Sequence, residues 1–241
     1  MLLTKRNITE KGLTLIECLV GMMVIAIIIS AITPPLLIAF ATRVQNYKAS
    51  QAMKIAQGEI ERVRLLVEKG KYQAGWTRGL PPQMPLNDFD YLGVGAPITT
   101  TPNGPCPLTN VQGDANPRTT WCSVDINGDG QWDLGVQTFR TPPFTTRGNP
   151  RTDEYPYGMP IAFVMTVRVY TRAALESGNL NKPPGNFPRD KTVSLGMTAG
   201  ESLTLPLVNR SEIIVRSDLN ISRELYCELD NKINNLLTSC Y

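Results

Sequence analysis

The sequence predicts an α+β fold in which a long N-terminal helix packs on an antiparallel β-sheet, with a loop-rich insertion between them. Three observations carry this expectation. The stretch from Cys18 to Thr42 holds no charged side chain, and beyond it apolar residues recur at helical spacing as far as Val67. Thirteen of the nineteen prolines then fall between Pro81 and Pro160, where few segments suit a long regular element. Finally, Ile161 to Thr171 reads IAFVMTVRVYT, a β-branched and aromatic run typical of a strand.

The helix comes first. About 20 apolar residues, rising about 1.5 Å each, cross a bilayer, so residues 13–42 suffice as a transmembrane half. Residues 43–70 form the amphipathic half. Val44, Ala52, Ile55, Ala56, Ile60, Val63, Leu66 and Val67 line one face, and Lys54, Gln57, Glu61, Arg64 and Glu68 the other. Drift of the apolar positions and the short length favour packing on a sheet over a heptad coiled coil. Pro34-Pro35 is expected to interrupt this helix with a kink or a locally melted segment, and Gly70 to stop it.

One charge stands at the start of this run. Glu17 follows Lys11-Gly12-Leu13-Thr14-Leu15-Ile16. A charged side chain costs about 2.5–3.5 kcal/mol at mid-membrane and less near an end, so Glu17 has a task there. A cleaved secretory signal does not fit, because no small-residue cleavage site follows the run before Ala39-Phe40-Ala41. Ile16-Glu17 before Cys18 argues against a lipoprotein, and a plain signal anchor leaves Glu17 unexplained. The combination of basic leader, Gly12, an apolar residue and a glutamate five positions after the glycine resembles the type IV prepilin family, which includes the pseudopilins of type II secretion-like machines.

That resemblance implies cleavage by a prepilin peptidase between Gly12 and Leu13, leaving residues 1–12 as a cytoplasmic leader. N-methylation of Leu13 usually follows; phenylalanine is commonest at this place. Glu17 becomes mature position five, and Pro34 falls at mature position 22, where the family commonly carries a helix-loosening proline. The new amine at Leu13 would lie near Glu17 of an adjacent subunit, relieving the cost of an isolated carboxylate in a low-dielectric medium. The leader's Lys5, Arg6 and Lys11 against Glu10 give +2, which favours a cytoplasmic N-terminus and a translocated head. The implied partners are other pilins or pseudopilins, an inner-membrane assembly platform and the membrane itself. Ala41 to Asn46 is further similar to cyanobacterial pseudopilins tied to hormogonium polysaccharide secretion, which makes polysaccharide a candidate cargo.

Behind the helix, residues 71–160 read as loops with short strands, anchored by Trp76, Phe89, Tyr91, Trp121 and Trp132. Residues 161–241 read as the antiparallel sheet and a C-terminal disulfide loop. Ser202–Val208 and Ser211–Arg216 are expected as two strands joined by a turn at Asn209-Arg210. Cys18 lies in the membrane segment, where a thiol behaves as a small apolar residue. The other four cysteines lie in the translocated part, an oxidising compartment. Of three possible pairings, Cys106–Cys122 and Cys227–Cys240 each close a local loop and are favoured; zinc lacks histidine and any C-x-x-C pair.

Asp125-Ile126-Asn127-Gly128-Asp129-Gly130-Gln131-Trp132-Asp133 is the remaining chemical motif. Side-chain oxygens at Asp125, Asn127, Asp129, Gln131 and Asp133, with a glycine at the sixth position, suit a loop wrapping a hard cation, which takes six to eight oxygens. Position twelve is Val136, so the bidentate glutamate of an EF-hand is missing, and the loop is similar to shorter D-x-D-x-D-G-x-x-D calcium loops. Calcium is the expected cofactor, with a bare Asn-Gly/Asp-Gly hairpin turn as the alternative. Trp121–Val124 and Trp132–Val136 would be the arms of that hairpin.

Enzyme chemistry finds little footing. The chain has no histidine, which excludes Ser-His-Asp and Cys-His mechanisms, and it lacks a G-x-S-x-G elbow and phosphate or dinucleotide loops. Without the leader the net charge of +3 falls to +1, giving no electrostatic case for nucleic acid as the main partner. A minor pilin or pseudopilin supporting export, adhesion or motility is the favoured reading. A calcium-dependent binding module for a glycan or surface ligand is the alternative.

Overall fold

The computed structural model describes residues 14–69, 79–85, 89–108, 115–145, 160–180 and 203–217, together with residues 226, 227, 229 and 231. Its elements are α1 (Leu15–Lys69), β1 (Cys122–Val124), β2 (Leu134–Arg140), β3 (Phe144–Thr145), β4 (Pro160–Thr171), α2 (Arg172–Ser177) and β5 (Val208–Val215). The chain divides into two compact units, residues 1–46 and residues 47–241.

In the first unit α1 is exposed almost throughout, with Leu15, Met22, Ile27, Leu37 and Phe40 all open to the surroundings. Such a surface has no place in water and suits lipid. Of the kink or locally melted segment expected at Pro34-Pro35, the melted segment is corrected: α1 continues as helix through both prolines. Each proline deletes one N–H donor, yet the flanking ladder persists, and the Thr33 hydroxyl donates to Ile29 O at 2.6 Å just before the gap. Gly70 lies outside the described residues.

In the second unit Ala52, Ala56, Ile60, Val63 and Val67 are buried, at the spacing of one helical stripe. They pack on Leu134, Val136, Phe163, Met165, Val167 and Val169, alternate residues of β2 and β4, and on Val208 and Ile214 of β5. Val44 stands outside this stripe and is exposed.

The sheet is antiparallel and five-stranded. β4 is its spine: β2 and then β3 pair along one edge, and β5 along the other. Pro142-Pro143 separates β2 from β3, since two successive residues without N–H cannot continue a ladder. Thr141 carries the register across, its N–H donating to Val164 O and its hydroxyl accepting from Val164 N. The loop-rich region therefore supplies three of the five strands. β1 and β2 form the expected hairpin, with Cys122 opposite Val136 and Val124 opposite Leu134.

The turn expected at Asn209-Arg210 is also corrected. β5 runs straight through both, with Asn209 opposite Arg168 and Arg210 opposite Val167. Neither residue is a glycine, and each side chain is held: Asn209 Oδ1 accepts from Arg168 Nε, and Arg210 pairs with Glu212. Leu203–Leu207, part of the expected preceding strand, is not extended sheet.

The sheet's other face is covered as well, and β4 is buried from Pro160 to Tyr170. Residues 89–97 lie against it, drawn in by side chains of the sheet. Arg168 donates to the carbonyls of Val94, Leu92 and Tyr91, and stacks on Phe139. Gln137 Nε2 donates to Gly95 O and Pro117 O at 3.0 Å each, while its Oε1 accepts from Tyr170 OH at 3.1 Å. These loops are ordered because buried donors meet their otherwise unpaired carbonyls.

Candidate functional site

The N-terminal end of α1 is built by Thr14 and Glu17. The Thr14 hydroxyl accepts from the Glu17 N–H at 3.4 Å, and the Glu17 carboxylate accepts from the Thr14 N–H and hydroxyl at 3.5 Å each. This reciprocal arrangement is a capping box, loose in length, which occupies donors that the first turn leaves free. A carboxylate in the first turn also faces the positive end of the helix dipole. Thr14 was not singled out by the sequence reading, although Thr-x-x-Glu before an apolar run is a recognisable signal. Gly12 and Leu13 lie outside the described residues.

From Leu15 onward α1 is long and apolar enough to cross a membrane, with Glu17 alone charged before Arg43. Cys18 is a free, exposed thiol beside Glu17. The chemistry available here is electrostatic: a carboxylate at the end of an apolar helix, open to a cation supplied by another molecule.

The second candidate is the loop between β1 and β2. Asp125 accepts from Gly128 N at 2.7 Å and Gly130 N at 2.9 Å. Asp129 accepts from Gln131 N at 2.7 Å and from Asn127 Nδ2 at 3.0 Å, while Asn127 Oδ1 accepts from Asp129 N at 3.0 Å. Asp133 accepts from Ile126 N at 3.0 Å, and Gln131 Oε1 accepts from Arg172 Nη1 at 3.0 Å. Gly128 and Gly130 both have positive φ, at 75° and 82°, which lets the chain fold over Asp125. The Gly128 N–H, foremost among the loop amides, holds the Asp125 carboxyl below its ordinary range. The five side chains thus share one loop, but the oxygens of Asp125, Asn127, Asp129 and Asp133 serve the loop's own donors and that of Gln131 serves Arg172. Among the described residues no three His, Cys, Asp or Glu side chains are gathered to hold a metal ion.

The disulfide Cys106–Cys122 joins the segment before the hairpin to β1. Around it Cys106 N donates to Ser123 O at 3.0 Å, Ser123 N to Gly104 O at 2.9 Å, and Trp121 N to Asn103 Oδ1 at 2.9 Å. The bridge therefore fastens a cover over the outer edge of β1. Cys227 is also disulfide-bonded, and Cys240 lies outside the described residues.

Two further features went unread in the sequence. The short helix α2 starts with Thr171 accepting from Ala174 N at 3.1 Å and ends at Gly178 in the left-handed region, φ 63°. The threonine and glycine flanking Arg-Ala-Ala-Leu-Glu-Ser were a usable signal. The buried Arg168, Gln137 and Tyr170 offered none, because Arg168 and Gln137 meet carbonyls of loops far away in sequence and Tyr170 meets the Gln137 side chain across the sheet.

No curated protein and no solved structure matches the chain. Residues 9–33 match the family model for the prokaryotic N-terminal methylation motif. That stretch covers the basic leader's end, Glu17 and most of the uncharged run. Such a motif implies processing by prepilin peptidase and assembly with other pilins. This motif, with the long apolar helix ahead of an antiparallel sheet, makes the chain similar to type IV pilins and pseudopilins and supports that family.

Proposed function

We propose that this protein is a minor structural subunit of a type IV pilus or type II secretion-like filament. In this reading it is anchored by α1 with the leader in the cytoplasm and the head outside it. Prepilin peptidase cuts between Gly12 and Leu13, and the amine so created on one subunit meets Glu17 of its neighbour within the filament. The observation that carries this is the solitary carboxylate of Glu17, in an otherwise uncharged run, at the end of α1. Replacing Glu17 by Val should leave cleavage intact and abolish incorporation into sheared filaments. Normal incorporation of that variant refutes the pairing.

A second reading concerns the loop from Asp125 to Asp133: a calcium site that makes the head a binding module for a glycan or surface ligand. It is supported by the loop's wrapped form, with Asp125 central and glycine at its sixth position. Occupancy would draw Asp125, Asn127, Asp129 and Asp133 from their amide partners, and Gln131 from Arg172, toward the ion. Calcium added to chelator-treated protein should raise its melting temperature, and Asp129→Ala should remove the rise. Equal melting with and without calcium leaves the hairpin turn as the account of this loop.

A further inference from the structure

The chain holds two Asn-Gly pairs, Asn103-Gly104 ahead of the disulfide and Asn127-Gly128 in the loop between β1 and β2. Asparagine is a thermolabile residue, and glycine after it leaves the next backbone nitrogen unhindered. That nitrogen can attack the side-chain amide. At Asn127 the Gly128 N–Cγ bond would form and the Cγ–Nδ2 bond break, with Nδ2 leaving as ammonia and taking the Gly128 amide proton. Solvent water then adds across either carbonyl of the cyclic imide, giving aspartate or isoaspartate at position 127. The reaction uses no oxidant or reductant.

In the folded loop both reacting groups are held away from this step. The Gly128 N–H donates to Asp125 Oδ1 at 2.7 Å. The Asn127 side chain is turned to Asp129 instead, its Oδ1 accepting from Asp129 N and its Nδ2 donating to Asp129 Oδ2, at 3.0 Å each. Attack requires the Gly128 nitrogen to give up its proton, and an anionic acceptor beside it opposes the negative charge that then builds there. Little else restrains the pair. The loop is exposed, and beyond the adjacent residues nothing lies within 4 Å of where a Gly128 Cβ would stand.

Asn103 is fastened by other means. Its Oδ1 accepts from Trp121 N and its N–H donates to Trp121 O, at 2.9 Å each, beside the Cys106–Cys122 bridge.

We propose that Asn127-Gly128 is a latent deamidation site, and that the Asp125 carboxylate restrains it by holding the Gly128 amide. Reaction would set a carboxylate at position 127 against Asp129 Oδ2, where an amide now donates, so the product repels the loop's present closure. This rests on the loop's own hydrogen bonds and not on calcium.

The test incubates chelator-treated full-length protein in detergent and mildly alkaline buffer. Peptide mapping then follows aspartate and isoaspartate at both positions. Wild type should react slowly at Asn127, and faster in urea, where these bonds are lost. Asp125→Ala should speed Asn127 about ten-fold, the scale of one hydrogen bond to a charged group, and leave Asn103 at its wild-type rate. Asp125→Asn keeps an acceptor oxygen without the charge and decides the matter if the alanine variant does not fold; it should speed Asn127 less, in the same direction. Equal rates at Asn127 in urea and in buffer overturn the proposal, as does a wild-type rate in both variants. It is equally overturned if Asn103 rises in step with Asn127, since general loosening of the head is then the cause.

Discussion

Glu17 and Thr14 hold each other at the start of α1, the carboxylate accepting from the Thr14 N–H at 3.5 Å and the Thr14 hydroxyl from the Glu17 N–H at 3.4 Å. Glu17 thus has a partner within its own chain as well as the one proposed in a neighbour. In the lone subunit its charge is set against the free donors and positive end of its helix. Assembly would exchange this loose cap for a full positive charge.

The two tasks separate by substitution. Glu17→Gln keeps an oxygen for the Thr14 N–H but loses the charge, so the first turn should stay as protected from hydrogen exchange as in wild type while filament incorporation fails. Glu17→Val should lose both. Thr14→Val should weaken the first turn by about 0.5–2 kcal/mol and leave assembly largely intact. Loss of first-turn protection in Glu17→Gln contradicts the division.

Within the head, Arg64 of α1 joins Glu212 of β5 at 2.8 Å, and Arg210 engages the other oxygen of that carboxylate. These groups are partly exposed, so the clasp contributes little: Glu212→Gln should cost about 0.5–1 kcal/mol. A fall of about 2 °C in melting temperature follows for a head of this size. The difference should shrink at high salt, as measured by paired thermal melts.

Gly135 occupies a place where no side chain fits. A Cβ there would stand 2.2 Å from Leu175 Cδ1 and 2.8 Å from the Trp121 ring. Gly135→Ala should therefore destabilise the head by about 1–3 kcal/mol in denaturant titration. Adding Leu175→Ala should recover part of the loss, because the nearest obstacle is that side chain.

Tyr170 supplies a pH test. Burial pushes its phenol up to about 12 in the folded head, against 10.0 for the free group, with Arg168 opposing the shift. Because the folded value is raised, its contribution is complete below pH 10 and is lost as pH rises toward 12. Urea titrations should show stability falling across that window. Tyr170→Phe should flatten the fall, at a cost near neutrality of about 1 kcal/mol from the unpaired Gln137 oxygen.

Much of the architecture was legible because it rests on local pattern. The stripe from Ala52 to Val67, the strand Ile161–Thr171 and the hairpin around Asp125–Asp133 all show their period or turn chemistry directly. Pro34-Pro35 misled only as to local melting, since a long ladder survives losing two donors. Asn209-Arg210 misled because pairing with β4 outweighs a weak turn preference. The covering of the sheet's second face was invisible: Arg168 and Gln137 act on carbonyls more than seventy and forty residues away, respectively. Of the candidate sites, Glu17 was legible as a charge where none belongs, whereas its capping partner emerged only with the helix start in view.

The most direct test of the account is mass spectrometry of the protein's N-terminus after expression with a functional prepilin peptidase. The account predicts a chain beginning at Leu13 and carrying a methyl group on its amine. A chain that still begins at Met1, with the basic leader attached, would leave Glu17 without its proposed partner and contradict it.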